Sequence, residues 1–323
     1  MKSKPIFICA VVGPTASGKT GLAIELAKRN NGEVISFDSM QIYKNAPIAT
    51  AVPTMEERQG IPHHLMEFVE CDETFSVGKF IELAHQTIEE VVARGKLPVL
   101  VGGTGLYYSS LVDNIQFQSQ SNDHFEWRRK LEQRLQEEGI DVLYEELQNI
   151  DPKATEKIHK NNHIRVVRAL EIYYTTGKTL TQQEEESRNT PSPYAPCVIG
   201  LNYRDREHLY NRINLRVHNM LSDGIVDEVK GLYEKNPEGT IMQAIGVKEF
   251  IPYFNGESTL EEVVETIQQE SRRYAKRQLT WFRRDQRVNW LYPDDYSSVA
   301  EVYDSADSLL KETMKNHKEV EQI

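Results

Sequence analysis

A glycine-rich segment near the start of the chain limits the possible folds more than any other feature. Residues 13–20 read GPTASGKT and match the pattern G-x-x-x-x-G-K-[ST]. A short apolar run with β-branched residues, 6–12, precedes the segment, and apolar residues recur at helical spacing over 22–27. Strand, glycine loop and helix in this order predict a phosphate-binding loop in a parallel α/β sheet.

The residue types of this loop suit a diphosphate or a triphosphate. Gly13 and Gly18 allow a tight turn, so that the backbone N–H groups converge on the anion. Lys19 can neutralise phosphate charge, and the Thr20 hydroxyl can reach Mg²⁺. The motif alone suggests ATP, but it does not identify the phosphorylated ligand.

Composition restricts the class of protein. The length of 323 residues predicts about two domains. With 39% hydrophobic and 27% charged residues, and no apolar run near the roughly 18 residues of a membrane span, we expect a soluble protein. The three isolated cysteines fit a reducing compartment and give no zinc site. The basic, then apolar start resembles a signal peptide, but cleavage would remove the strand before the glycine loop, so we expect the cytoplasm.

Charge is unevenly distributed along the chain. The net charge is −11, yet residues 272–287 contain seven basic residues and one acid, Asp285. This contrast predicts a polyanion-binding face on an acidic protein. The alternative is an ordinary solvated helix face.

Two further predicted strands end in polar residues. Residues 33–37 lead into Asp38, and 98–101 lead into the glycine-rich sequence GGTG, which contains Thr104. Because ligands of parallel sheets lie beyond the carboxyl ends of the strands, we expect both residues to lie beside the phosphate loop. We interpret the adjacent pair His63 and His64 as structural, since no third residue has metal-ligand spacing.

The middle of the chain predicts an inserted helical domain. Residues 117–196 are charged, have helical periodicity and contain no strand pattern, and prolines in 189–196 suit a returning linker. We therefore predict a P-loop NTPase-like α/β core, 1–116 and 197–323, with helices on both faces of its parallel sheet, and an all-helical insertion. The C-terminal third is predicted to be helical up to a last strand at 288–291, and the tail beyond residue 298 has no signature.

These features together resemble a known family. The sequence closely resembles bacterial tRNA dimethylallyltransferases in motifs that follow one another along nearly the whole chain: GPTASGKT at 13–20, DSMQIY at 38–43, PHHL at 62–65, GGTGLYY at 102–108, DPKA at 151–154, RVVRALEIY at 165–173, QAIGVKE at 243–249 and RQLTWFR at 277–283. The family usually has Tyr where this chain has Val247. The zinc-finger extension of the longer eukaryotic relatives is absent.

The resemblance implies an activity and a set of site residues. Members transfer a dimethylallyl group from dimethylallyl diphosphate to N6 of the adenosine just 3′ of the anticodon. It implies catalytic roles for Asp38, the general base, and for Thr104, Lys19 and Arg216. The diphosphate would be held by Gly13, Thr15, Ala16, Ser17, Gly18, Lys19 and Thr20. The tRNA anticodon stem-loop would contact Asp38, Ser39, Met40, Gln41, Thr104, Arg128, Arg165, Gly246, Lys248, Arg277 and Arg283. We further expect Mg²⁺ on Thr20, no membrane partner and a monomer.

Several alternatives remain at this point. Asp38 could be a Mg²⁺ ligand instead of the base, as strand-end aspartates are in many phosphate-loop enzymes. The chain could prenylate free AMP, ADP or ATP, although the helical insertion and the basic patch argue against it. A phosphotransferase or an RNA-binding NTPase without prenyl chemistry would share the glycine loop.

Overall fold

The computed structural model describes residues 4–115 and 122–320, and the chain divides into two compact units. One unit runs up to Val112 and resumes at Pro193, and the other is Asp113–Ser192. The predicted domain boundary between residues 116 and 117 lies outside the described residues.

A six-stranded parallel sheet forms the centre of the first unit. Its strands are β1 (Ile6–Val12), β2 (Gly32–Ser36), β3 (His63–His64), β4 (Leu97–Val101), β5 (Tyr194–Leu201) and β6 (Val288–Leu291). They lie in the order β3-β2-β4-β1-β5-β6. Every residue of β2 and β4 is buried, as expected for parallel strands that are covered on both faces. The predicted α/β class is confirmed.

Helices account for most of the remaining described residues. In chain order they are α1 (Lys19–Arg29), α2 (Pro47–Thr50), α3 (Val77–Ala93), α4 (Gly105–Val112), α5 (Asn122–Glu138), α6 (Ile140–Ile150), α7 (Pro152–Thr155), α8 (His163–Thr176), α9 (Leu180–Arg188), α10 (Arg206–Ser222), α11 (Ile225–Lys235), α12 (Ile251–Phe254), α13 (Leu260–Phe282) and α14 (Val299–Val320). Short 3₁₀ turns lie at Thr240–Gln243, Lys248–Phe250 and Pro293–Asp295. Among the described residues, no helix is long and apolar enough to cross a membrane.

Two predictions about the returning chain need correction. Strand β5 begins at Tyr194, so Pro196 belongs to a strand and not to a linker. Strand β6 pairs with β5 only from Val198 onward, so Pro196 has no neighbour on that side in the described sheet. Because no hydrogen bond is needed there, a proline, which lacks an N–H, is tolerated. The tail beyond Ser298, for which no structure was predicted, forms α14 and packs with α1 against the sheet through Val302, Ala306 and Leu310.

The second unit is helical throughout its described residues and has its own core. Helices α5 to α9 enclose a cluster that includes Leu131, Leu147 and Leu170. Within this unit a buried ionic group joins α5 to α8, because Glu171 accepts hydrogen bonds from His124 and Arg168. Glu171 and His124 are 2% and 5% exposed, so the arginine compensates a carboxylate that water cannot reach.

Helices α10 and α13 are the elements that matter for the phosphate loop. They pack against each other through Leu209, Ile213 and Ala275, and Ala16 of the glycine loop contacts the same cluster. Helix α13 begins with a capping box. The Thr259 hydroxyl accepts the N–H of Glu262, and the Glu262 carboxylate accepts the N–H of Thr259. The C-terminal helices α10 and α13 therefore contact the glycine loop as well as each other.

Candidate active site

Three loops meet at the carboxyl edge of the sheet. They follow β1, β4 and β2, which are neighbours in the sheet, and they carry residues 13–18, 102–104 and 37–41. This is the arrangement that the sequence predicted from the parallel strands. The structure thus brings Lys19, Asp38 and Thr104 to one edge.

The glycine loop needs both of its glycines. Gly13 has φ +143°, and a Cβ there would lie 2.4 Å from the carbonyl oxygen of Leu201 in β5. Gly18 has φ +96° and forms the N-cap of α1. The Ser17 side chain between them is 1% exposed, and its Oγ has no hydrogen-bond partner among the described residues. A buried hydroxyl left unpaired in this loop is suited to a ligand oxygen.

Three cationic side chains donate hydrogen bonds to oxygen atoms of this loop. Lys19 Nζ donates to the Pro14 carbonyl at 2.6 Å. From α10, Arg212 Nε donates to the Ala16 carbonyl at 2.8 Å, and Arg216 Nη1 donates to Thr15 Oγ1 at 2.5 Å. A bound anion in the loop would therefore meet positive charge from two different elements.

Burial changes the ionisation of two of these cations. It lowers the pKa of Lys19 to about 7, against the opposing effect of the Asp38 carboxylate, and Arg216 lowers it further. Burial also lowers the pKa of Arg216, which Asp38 again opposes. Asp38, Lys19 and Arg216 are thus close enough to influence one another.

The loop after β2 holds Asp38 in a defined turn. Asp38 Oδ1 accepts the N–H of Met40 at 3.0 Å, which is a local turn that aspartate commonly forms. The N–H of Ser39 donates to Thr104 Oγ1 at 3.0 Å, and the Thr104 hydroxyl donates to Ser39 Oγ at 3.2 Å. The loop after β4 therefore fixes the position of the loop that carries the carboxylate.

Gln41, which the resemblance assigned to the tRNA contacts, forms hydrogen bonds within the protein. Its Oε1 accepts from Ser36 Oγ at 2.9 Å, and its Nε2 donates to the carbonyls of Ala51 at 2.9 Å and Thr50 at 3.3 Å. The neighbouring Met40 packs against the apolar cluster of the C-terminal helices. Contact between either side chain and a base stays a prediction.

The glycines at 102, 103 and 105 lie against side chains of other elements. A Cβ at Gly102 would lie 2.5 Å from the Phe37 ring, and one at Gly103 would lie 2.0 Å from Gln278 Nε2. A Cβ at Gly105 would lie 2.3 Å from the Trp281 ring. The glycines therefore make room for side chains of this chain.

Two residues of α13 that were not predicted as site residues, Gln278 and Tyr274, belong to this region. Gln278 is 5% exposed and hydrogen-bonds to both glycine-rich loops. Tyr274 lies one helical turn earlier, and burial raises its pKa to about 12, with the Asp38 carboxylate adding to the shift. The sequence did contain a signal for Gln278: it is a glutamine in the otherwise apolar stripe of α13. Because buried amides are normally hydrogen-bonded, such a glutamine indicates a specific polar contact.

The other predicted RNA contacts lie on or just after α13, around residues 246–248, or in the second unit. Arg277 and Arg283 are exposed on α13 and just after it. Gly246 has φ +92°, and its N–H donates to the buried Glu249, beside which Lys248 lies at 3.8 Å. In the second unit, Arg165 is exposed on α8, and Arg128 on α5 pairs with Glu132 at 3.0 Å. Of the two aromatic residues at 281 and 282, Phe282 is core and Trp281 is 42% exposed.

The donor set at the glycine loop fits Mg²⁺. Among the described residues there is no group of three or more His, Cys, Asp or Glu side chains that could hold a metal ion. Mg²⁺ needs no such group, since it commonly takes one or two protein oxygens together with phosphate oxygens and water. Thr20, the unpaired Ser17 hydroxyl and Asp38 are oxygen donors at the same sheet edge.

Comparison with known proteins gives consistent results. A family model described as IPP transferase matches residues 41–285. The chain is 50% identical over 297 residues to the tRNA dimethylallyltransferase of Acetivibrio thermocellus, which covers 91% of this chain and 94% of that protein. It is 45% identical to that of Halalkalibacterium halodurans, over 98% of this chain and all of the relative.

Solved structures agree with the sequence relatives. The crystal structure of full-length tRNA isopentenylpyrophosphate transferase from Bacillus halodurans has a TM-score of 0.74 at 41% identity, covering 99% of this chain and 100% of that chain. A eukaryotic dimethylallyltransferase acting on tRNA has a TM-score of 0.73 at 35% identity, covering 87% of this chain and 70% of its own.

Proposed function

The chain belongs to the IPP transferase family, and from this premise we propose that it transfers a dimethylallyl group from dimethylallyl diphosphate to N6 of the adenosine 3′ of the anticodon in tRNA. The protein is a transferase, as its relatives are. The proposal rests on one observation: an anion-binding loop and a carboxylate lie close together. Lys19 and Arg216 lie at the loop, and Asp38 is near both.

The reaction breaks the C1–O bond of dimethylallyl diphosphate and forms a bond between C1 and N6. Negative charge grows on the departing diphosphate, and the N–H groups of the glycine loop with Lys19 and Arg216 stabilise it. Loss of one such donor typically costs about 3–4 kcal/mol. As N6 is alkylated its proton becomes acidic, and the Asp38 carboxylate accepts it. Diphosphate and modified tRNA are the products.

Mg²⁺ fits this proposal as a partner of the leaving group. Thr20 would hold it together with diphosphate oxygens, and the ion would add positive charge where the leaving group becomes negative. Arg216 and Lys19 serve the same purpose through fixed hydrogen-bond donors. The cations of the loop therefore favour an anionic leaving group.

The RNA must present the adenine outside its stack. Extrusion of a base costs a few kcal/mol, which contacts to the base edge and to aromatic faces offset. The exposed Arg277 and Arg283 suit phosphate contacts of the RNA. We propose that the anticodon stem-loop is the partner, that the enzyme acts in the cytoplasm and that it is a monomer.

One transfer assay tests the proposed substrate. The protein is incubated with labelled dimethylallyl diphosphate and either unmodified tRNA that has adenosine at the site or free AMP. We expect label in the tRNA alone. Label in AMP alone would favour the adenylate prenyltransferase, and label in neither would defeat the proposal.

Replacement of Asp38 tests the proposed base. Asp38→Asn keeps the acceptor oxygen for the Met40 N–H but removes the proton acceptor, so we expect turnover to fall about 10²–10⁴-fold. Inorganic diphosphate with Mg²⁺ should still bind nearly as well. A comparable loss of that affinity would instead make Asp38 a metal ligand. Asp72→Asn, at an exposed aspartate, is the matched control and should leave both quantities unchanged.

A further inference from the structure

A buried amide connects the two glycine-rich loops of the site. The N–H of Thr15 donates to Gln278 Oε1 at 2.8 Å, and Gln278 Nε2 donates to the carbonyl of Gly103 at 3.0 Å. One end of the side chain therefore binds the loop after β1, and the other end binds the loop after β4. Since Gln278 is 5% exposed, water cannot replace either bond without cost.

The contact at Gly103 is too close for any other residue. A Cβ there would lie 2.0 Å from Gln278 Nε2 and 3.9 Å from Asp38 Oδ2. The Gln278 amide therefore lies against the backbone on the side of the loop that faces the carboxylate. An alanine at this position would push the amide away from the carbonyl that it binds.

The hydrogen bonds continue from Gly103 to Asp38. The next residue, Thr104, accepts the N–H of Ser39 at 3.0 Å, and Asp38 accepts the N–H of Met40 at 3.0 Å. A path of short contacts thus runs from the phosphate loop through Gln278 to the turn that carries the carboxylate.

On the basis of the proposed function, we propose that Gln278 is a positioning residue that fixes the distance between the diphosphate in loop 13–20 and the carboxylate of Asp38. The leaving group is held at one end of the path and the proton acceptor at the other. Transfer requires the reacting atoms to approach within about 3–3.5 Å, and a misplacement of about 1 Å can cost roughly 10²-fold in rate. Gln278 touches neither reacting atom and acts through the two loops.

The position of Gln278 separates this role from RNA binding by the same helix. Arg277, its neighbour in sequence, is exposed and lies over the Tyr274 ring at 5.5 Å, whereas Gln278 points into the protein. The segment 277–283 therefore has an outer face with arginines and an inner face that ties the loops together. Changes at Gln278 should alter turnover and leave tRNA affinity unchanged.

The first variant removes both hydrogen bonds at similar volume. We expect Gln278→Leu to lower kcat for tRNA prenylation about 10²-fold. The dissociation constants of inorganic diphosphate and of tRNA should stay close to those of the wild type. Gln269→Leu replaces an exposed glutamine of the same helix and should change none of these quantities.

The second variant gives a readout that a packing role would not produce. The Gln278→Glu carboxylate can accept from Thr15 but repels the Gly103 carbonyl, whereas the protonated acid can accept from one and donate to the other. Burial raises the pKa of a carboxyl, so the ratio of Gln278→Glu to wild-type kcat should rise as pH falls from about 8 to about 5.5. Asp38, Lys19 and Tyr274 surround the site in the wild type and in the variant. The ratio of the two kcat values therefore cancels the pH dependence that these groups contribute to both.

The outcomes separate the two proposals. The inference fails if Gln278→Leu turns over at the wild-type rate, or if the ratio for Gln278→Glu does not change with pH. If Gln278→Leu shows no thermal unfolding transition, it has not folded. The pH dependence of the kcat ratio for Gln278→Glu then tests the inference by itself. Gln269→Glu should give a flat ratio near one. A wild-type protein that transfers no label to tRNA would defeat the proposed function instead.

Discussion

At the residue scale, Lys19 makes ligand binding depend on pH. Burial lowers its pKa to about 7, so at pH 8 most of the free protein carries a neutral amine. A diphosphate in the loop favours the ammonium form, and binding should therefore take up a proton above pH 7. The observed affinity for inorganic diphosphate should fall as pH rises above 7, by up to about tenfold per pH unit.

Calorimetry at pH 8 in two buffers of different ionisation enthalpy measures this proton uptake. Lys19→Met should remove the proton uptake by the lysine, so that only the change in protonation of diphosphate itself remains. Arg216→Met removes a charge that helps to lower the pKa of Lys19, so it should weaken binding and reduce the uptake without abolishing it. Equal uptake by the wild type and Lys19→Met would contradict the shifted pKa of Lys19.

At the scale of elements, the sequence predicts what is local and misses what is distant. Strands β1, β2 and β4 and the loops after them follow from continuous apolar runs and glycine motifs. The bond from Thr15 to Gln278 joins residues 263 positions apart, which no local pattern encodes. Helix α14 was missed because its buried stripe is narrow: the fully covered apolar residues are Val302, Ala306 and Leu310, among many charged ones.

That narrow stripe predicts a large effect from one substitution. Leu310 is 0% exposed and packs with α1 and the sheet that carries the glycine loop. Leu310→Ala leaves a cavity there, so we expect a loss of about 2–5 kcal/mol in the free energy of unfolding, measured by urea denaturation. Glu312→Ala, on the exposed side of α14, should cost far less. Equal stabilities of the two variants would show that α14 does not support the sheet.

At the scale of the whole molecule, charge opposes the proposed partner. The net charge is −11, and tRNA is a polyanion, so long-range repulsion must be overcome by local clusters of positive charge. Many arginines of the described residues are already paired within the protein. Arg29, for example, contacts Glu25 and Asp304 at 2.6 Å each. Exposed arginines in the basic segment, such as Arg277 and Arg283, are the better candidates for phosphate contacts.

The salt dependence of tRNA binding tests this distinction. If Arg277 and Arg283 each neutralise a phosphate, then Arg277→Ala and Arg283→Ala should each reduce the slope of log K against log salt by about 0.7–0.9. Arg29→Ala removes the same charge from an ion-paired site and should leave the slope unchanged. Filter binding of unmodified tRNA over a range of salt concentrations measures the three slopes. Should all three variants keep the wild-type slope, the RNA would bind through other residues, because a lost phosphate contact releases one fewer counterion wherever it lies on the protein.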